Sequence, residues 1–294
     1  MKVLLIDVDK KYPNLALMKL SAYHKMRGDE VGFNVKDPDI VYVSIVFKKN
    51  RGKLKEILKK YPDAEIGGAG YDLHKRLPKE VEFLKPDYNL YPDMDYSLGY
   101  TTRGCNRNCY FCVVPEMEGR IKIWQHPKEF YEPKFRKIMF LDNNVMFLKD
   151  WFRNVMDWCY ERRLKVWWTQ GFDVRLLDYE SAKIIKKVKH YKMINFAWDW
   201  IELEDTVKRG LKILRDVGFD LRHNVMFYVY IDSDDEFDSG LYRARKLKEW
   251  GTNAFIMFNV DKPRSERIKR LQRWANRKTL FWKMDYDEYD PKRR

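Results

Sequence analysis

Thr101-Thr102-Arg103-Gly104-Cys105-Asn106-Arg107-Asn108-Cys109-Tyr110-Phe111-Cys112 holds three of the four cysteines of the 294-residue chain, spaced C-x3-C-x2-C, with an aromatic directly before the last. Three thiolates on one short loop can hold three irons of a [4Fe–4S] cube and leave the fourth iron open to a small molecule. A finished electron-transfer site uses four protein ligands. Structural zinc would need a fourth ligand, and the paired C-x2-C knuckles it favours are absent. A disulfide is disfavoured, because residues 1–7 read as a short strand interrupted by charge and not as a signal peptide; a cytoplasmic protein is expected. Chance clustering is the remaining alternative. Cys159, the only other cysteine, lies in a helix-like stretch where a small buried hydrophobe is the default, so a second cluster is not expected.

Outward from this loop the chain reads as two βα arrays. The loop follows a strand-like run over 96–101, and five more such runs come after it: 138–141, 166–169, 194–198, 225–231 and 254–258. Helix-like segments follow the last five, over 151–162, 179–188, 204–217, 237–250 and 265–280. Six successive βα units with buried strands predict an α/β fold, a partial (β/α)6 barrel of TIM type. Ahead of it, strand-like runs over 3–6, 40–46 and 65–67 alternate with helix-like 15–26 and 53–61, which predicts a small Rossmann- or flavodoxin-like βα domain. Gly67-Gly68-Ala69-Gly70 lacks dinucleotide spacing and reads as a tight turn after a strand. Residues 86–92 read as an extended connector. The expected domains are 1–92, a barrel core over 93–262, and a basic C-terminal helix and tail over 263–294 closing the barrel.

The cysteine triplet resembles the signature of the radical S-adenosylmethionine (SAM) superfamily. That resemblance implies a fourth iron that chelates the amino and carboxylate groups of SAM. It also implies an external one-electron reductant of flavodoxin or ferredoxin type, and one-electron cleavage to methionine and a 5′-deoxyadenosyl radical that takes hydrogen from a substrate. The family core is similar to the six-unit partial barrel, with the cysteine loop after its first strand. Chemistry in such barrels sits at the C-terminal ends of strands. There the resemblance suggests Asp142, Asn143 and Asn144 for the SAM amino group, although the family's G-G-E-like run is absent. It suggests Asp199 for the ribose hydroxyls and Phe111 for the adenine. Gln170 and Asn259 are further cofactor-binding candidates, and Asp173 and Arg175 are catalytic candidates. Charged groups at a buried strand mouth are costly unless paired, so an Asp173–Arg175 brace is the structural alternative.

The paired domains also resemble the radical SAM subgroup with a cobalamin-binding N-terminal domain. Asn14-Leu15-Ala16-Leu17, Gly28-Asp29-Glu30-Val31 and Thr102-Arg103-Gly104-Cys105 fit that pattern. The D-x-H-x-x-G motif is missing, because His24 is followed by Lys25-Met26-Arg27-Gly28, so cobalamin is not expected and the domain reads as a scaffold or docking surface.

Net charge of +14 suits a polyanionic partner. Residues 262–278 carry eight Lys or Arg and one Glu, with Ile268, Leu271, Trp274 and Ala275 on one helical face. This is either a solvated face or a surface that tracks phosphates with aromatics to stack a base. The stretch Arg270-Leu271-Gln272-Arg273-Trp274-Ala275-Asn276 is similar to one in a small group of radical SAM proteins from bacteria, archaea and phages. No apolar run approaches a membrane span. The expectation is a radical SAM enzyme acting on a nucleic-acid base; the alternatives are an enzyme acting on a peptide or small metabolite, and a non-catalytic Fe–S protein. Sulfur insertion and a methyl-cysteine route are disfavoured by the cysteine supply.

Overall fold

The computed structural model describes residues 1–291, so the last three residues of the expected 263–294 segment lie outside the described residues. The chain is α/β, with parallel sheets covered by helices. The first sheet joins β1 (Lys2–Asp7), β2 (Glu30–Gly32), β3 (Ile40–Ser44) and β4 (Glu65–Gly67) in the order β2-β1-β3-β4, all parallel. The near-continuous apolar run of β1 is what a strand buried on both faces needs. Val3 and Leu5 pack with Leu17 and Met18 of α1 (Leu15–Met26), while Leu4 packs with Leu54 of α2 (Leu54–Lys60). Asn14 caps α1 by accepting from the Leu17 N–H, and its amide donates to the Ser44 hydroxyl at 2.8 Å, tying helix start to strand end. β2 gave no sequence signal, because three residues including a glycine carry no period.

The expected connector over 86–92 is not simply extended. After a short helix α3 (Lys79–Glu82), Tyr88 is buried in a helical turn, and its hydroxyl donates to the Phe130 carbonyl and accepts from the Leu98 N–H. The connector is thereby pinned to β5 (Ser97–Gly99), the first strand of the second array. A two-stranded antiparallel ribbon follows, β6 (Thr102–Arg103) with β7 (Lys122–Ile123), enclosing the cysteines and a short helix α4 (Val114–Glu118).

Next come β8 (Lys137–Phe140), β9 (Lys165–Trp168) and β10 (Lys189–His190), then β11 (Ile194–Ala197), β12 (Val225–Ile231) and β13 (Asn253–Phe258). Two parallel sheets, β10-β9-β8-β5 and β11-β12-β13, meet at a parallel bridge between Phe172 and Phe196. Side chains alternate across the strands. Val225, Phe227, Val229 and Ile231 of β12 face the helices, and Met226, Tyr228 and Tyr230 face away from them. The covering helices are α5 (Lys149–Glu161), α6 (Tyr179–Lys187), α7 (Glu204–Asp216), the short α8 (Leu221–Asn224) and α9 (Phe237–Glu249). Cys159 of α5 is fully buried in this core, as a small hydrophobe. Leu98 and Met139 join the cluster around Val3, Leu5 and Leu17, so the two βα units share packed apolar surface across residue 92.

The expected single helix over 265–280 is two: α10 (Glu266–Ala275) and α11 (Lys278–Lys283). The break falls at Asn276, whose carboxamide accepts from the Ile256 N–H at 2.7 Å and donates to the Ile256 carbonyl at 3.1 Å. Among the described residues no helix is long and apolar enough to cross a membrane.

Candidate active site

The cysteine loop starts at Gly104, whose φ of +83° is a conformation that side chains disfavour. A Cβ there would sit 2.4 Å from the Arg120 carbonyl oxygen, so only glycine lets the loop lie against residues 119 and 120. Cys105 N–H donates to the Gly119 carbonyl at 3.1 Å, and Cys112 N–H to the Cys109 carbonyl at 2.9 Å. The Arg107 N–H points at the Cys105 sulfur, 3.3 Å away. All three thiols are free and half-buried. Burial pushes the Cys109 thiol up to about 11, with neighbouring Cys112 adding to the shift, and burial raises Cys112 as well. Such thiols stay protonated at neutral pH until a metal displaces the proton. Among the described residues no three His, Cys, Asp or Glu side chains are gathered as a bound ion would hold them. The cysteines are thus neighbours on a loop and not a preformed ligand set. Their chemistry still fits an iron–sulfur cluster with one open iron: three soft donors, no fourth, and beside Cys105 the buried Asn144 Oδ1 without a partner.

Residues at the C-terminal ends of β8, β9, β11 and β12 meet the loop. Asp142, after β8, accepts from the hydroxyls of Thr101 at 2.6 Å and Thr102 at 2.7 Å and from both main-chain N–H groups. Burial nevertheless pushes its carboxyl up to about 6. Asp142 braces the start of the cysteine loop through these bonds. Asn143 donates to Glu118 at 2.7 Å. Asn144 is buried and reaches the Cys105 sulfur and Asp173.

After β9, Gln170 is exposed and hydrogen-bonds to no described residue, whereas Asp173 is a hub. Its carboxylate accepts from Arg175 at 2.6 and 3.0 Å, from Arg107 of the cysteine loop at 2.9 Å and from Asn144 at 3.3 Å. Burial alone would raise its pKa, but the two guanidinium groups outweigh it and hold the carboxyl below the usual range. The Asp173–Arg175 brace is therefore present, extended by Arg107 from the loop itself.

Asp199, after β11, is the carboxylate least satisfied from within. It accepts one long bond from the Tyr230 N–H at 3.3 Å, and burial pushes it up to about 6. Its charge is felt by Cys109, Cys112 and Arg175, which places it beside the thiols. Phe111 stacks on Tyr230 with centroids 4.1 Å apart, and Trp200 stands 5.7 Å away. Tyr230 donates to Asp232, and so does Asn259 after β13, at 2.9 and 2.8 Å. The structure thus brings every residue picked from the sequence to one end of the parallel strands, with Asn259 linked through Asp232 and Gln170 unengaged.

Arg103, Arg107, Glu118 and Arg243 were not picked. Arg243 of α9 is 1% exposed and donates to the carbonyls of Trp198, Asp199 and Tyr230, knitting the ends of β11 and β12. Arg107, lying between two of the cysteines, and Arg103, in the Thr102-Arg103-Gly104-Cys105 run, carried a signal that could have singled them out. Set beside known proteins, the chain matches no family model and no curated sequence.

The tail differs from the surface imagined for it. Trp274 is fully buried with its indole N–H on the Met284 carbonyl, so it cannot stack a base. Arg270 donates to the carbonyls of Tyr286 and Tyr289, clamping the chain end rather than facing a phosphate.

Proposed function

We propose that the protein is a radical SAM enzyme built as a partial (β/α)6 barrel behind a flavodoxin-like βα unit. The barrel reading is supported by the parallel strands β5, β8 and β9 and then β11, β12 and β13, which pair in chain order, with the two-residue β10 beside β9 and the Phe172–Phe196 bridge where the two sheets meet. The observation that carries the function is the placement of three half-buried free thiols on a loop at the C-terminal strand ends, facing a poorly satisfied carboxylate and an orphan carboxamide oxygen.

Cys105, Cys109 and Cys112 would hold a [4Fe–4S] cluster, which when bound to SAM supplies the electron that cleaves it and so the radical that takes hydrogen from substrate. The chain's own residues then have separable tasks. Asn144 Oδ1 can accept from an amine, and Asp199 can accept from hydroxyls. The Phe111–Tyr230 pair offers an aromatic surface. Arg107, Asp173 and Arg175 hold the loop to β9, and Asp142 holds its first turn. The reading carries with it a cytoplasmic setting and an external one-electron donor of flavodoxin or ferredoxin type. The net charge of +14 supports a nucleic-acid base as substrate over a peptide or small metabolite.

Anaerobic reconstitution with iron and sulfide tests the proposal. About four irons per chain are expected, lost in Cys105→Ala, Cys109→Ala and Cys112→Ala and kept in Cys159→Ala. With a strong reductant, 5′-deoxyadenosine and methionine should be released slowly from SAM. Loss of the cluster in Cys159→Ala as well would mean four protein ligands and no open iron.

A further inference from the structure

Four charged side chains of alternating sign run from the N-terminal unit into the cysteine loop. Lys19 of α1, 3% exposed, donates to the Glu82 carbonyl and lies 3.4 Å from the Glu82 carboxylate. That carboxylate, at the end of α3, accepts from Arg103 at 3.1 Å. Arg103 stands two residues before Cys105 and rests on the Tyr100 ring, 3.8 Å from its centroid; its other arm donates to Glu118 at 2.6 Å. Glu118 then accepts from the Gly104 main-chain N–H at 2.8 Å and from Asn143 at 2.7 Å. The four charges sum to zero.

Largely buried ion pairs of this kind add little net stability compared with apolar replacements; what they add is a fixed arrangement. Here the arrangement ends on the peptide N–H of the glycine that precedes the first cysteine, and it begins on a helix of the other unit. We infer that Glu82 and Glu118 are positioning residues through which the N-terminal unit sets the conformation of the cysteine loop. This rests on the proposed reading of the three thiols as cluster ligands. Under it, the N-terminal unit belongs to the frame of the cluster site: removing the charge of Glu82 alters the cluster although Glu82 touches no cysteine.

The test uses the full chain, reconstituted anaerobically with iron and sulfide. The readouts are retention of iron against a chelator, the midpoint potential and electron paramagnetic resonance of the reduced cluster, and the urea midpoint as a folding control. Glu82→Gln should weaken iron retention about 10–100-fold, the effect usual for groups that orient a metal ligand, and should shift the resonance. Because Glu82→Gln leaves the buried Lys19 without a carboxylate while Arg103 keeps Glu118, a second variant combines Lys19→Met with Glu82→Gln; it should fold and show the same loss. Glu82→Asp keeps every charge and serves where the others do not fold, with a smaller loss of retention expected. Wild-type retention, potential and resonance in any folded variant of this set would overturn the positioning role alone. A wild-type chain that takes up no cluster would overturn the functional reading and this inference with it.

Discussion

The mouth around the cysteine loop and the C-terminal helix pair are both rich in charge, and they dispose of it in opposite ways. In α10 the apolar stripe of Ile268, Leu271, Trp274 and Ala275 is buried, and most of its cations stand in solvent, where pairs such as Lys269–Glu266 contribute little. At the mouth the charges themselves go inside: Asp142, Asp173, Glu118 and Arg243 are almost wholly buried and satisfied by named partners. The tail is therefore held mainly by apolar burial and, apart from Arg270 on the chain-end carbonyls, tolerates change of charge, whereas the mouth is held by hydrogen bonds that leave costly orphans when one member is removed. An arrangement of the second kind is stiff in position, which suits a loop that must present three ligands together.

The contrast can be broken most directly at Arg243. Arg243→Ala should strip three carbonyls of their donor and open a cavity beneath the strand ends, destabilising the fold by about 3–5 kcal/mol as read from urea unfolding. A loss under about 1 kcal/mol would show that the mouth is no more rigidly built than the tail.

A middle-sized effect is expected from pH. The Asp199 carboxyl sits at about 6 in the fold, above the ordinary carboxylate value, so folding favours its neutral form. That contribution is complete below about pH 4 and is lost as pH rises through about 6. Asp199→Asn should therefore lessen the fall in stability between pH 4 and 7, leaving the share that Asp142 contributes, and raise stability at pH 7 by roughly 1–3 kcal/mol, since the carboxylate keeps only one long hydrogen bond. Parallel pH curves for the two proteins would show that Asp199 meets water and not the interior.

The smallest effects belong to the tail and sharpen the comparison from the other side. Arg273→Glu, at an exposed position, should change stability by no more than about 0.5 kcal/mol and reduce the salt dependence of any nucleic-acid binding, with heparin as the control polyanion. Arg270→Glu should cost about 1–3 kcal/mol, because its partners are main-chain carbonyls of the chain end. Equal behaviour of the two would place Arg270 back among the solvated cations.

The six longer strands of the second array were legible because each lies in a short apolar run between turn residues, and the run over 225–231 is a strand over those same residues, whereas the two-residue Lys189–His190 strand carries no apolar signal. The cysteine loop was legible as ligand chemistry because its donors are close in sequence. Its supports were not. Arg107 meets Asp173 66 residues away, and Arg243 meets Trp198 45 residues away, and no local pattern encodes such pairs. The two threonines that Asp142 holds were not legible either, because an acid at a strand end looks the same in sequence whatever lies 40 or 41 residues before it. The helix break at Asn276 was hidden for a similar reason, since the partner of its side chain lies on a strand 20 residues earlier.

That break has a wider consequence. Among the described residues β13 pairs with β12 alone, and Phe255 and Met257 are exposed on it, so its free side has the makings of an adhesive edge. The Asn276 carboxamide takes both the N–H and the carbonyl of Ile256, imitating one residue of a neighbouring strand, and Gln272 adds a second donor to the same carbonyl. One side chain thus serves as a counterfeit strand: it occupies both main-chain groups that Ile256 would otherwise offer to a neighbour along that edge, and a residue that a helix-propensity argument would count as a flaw does the work of a strand.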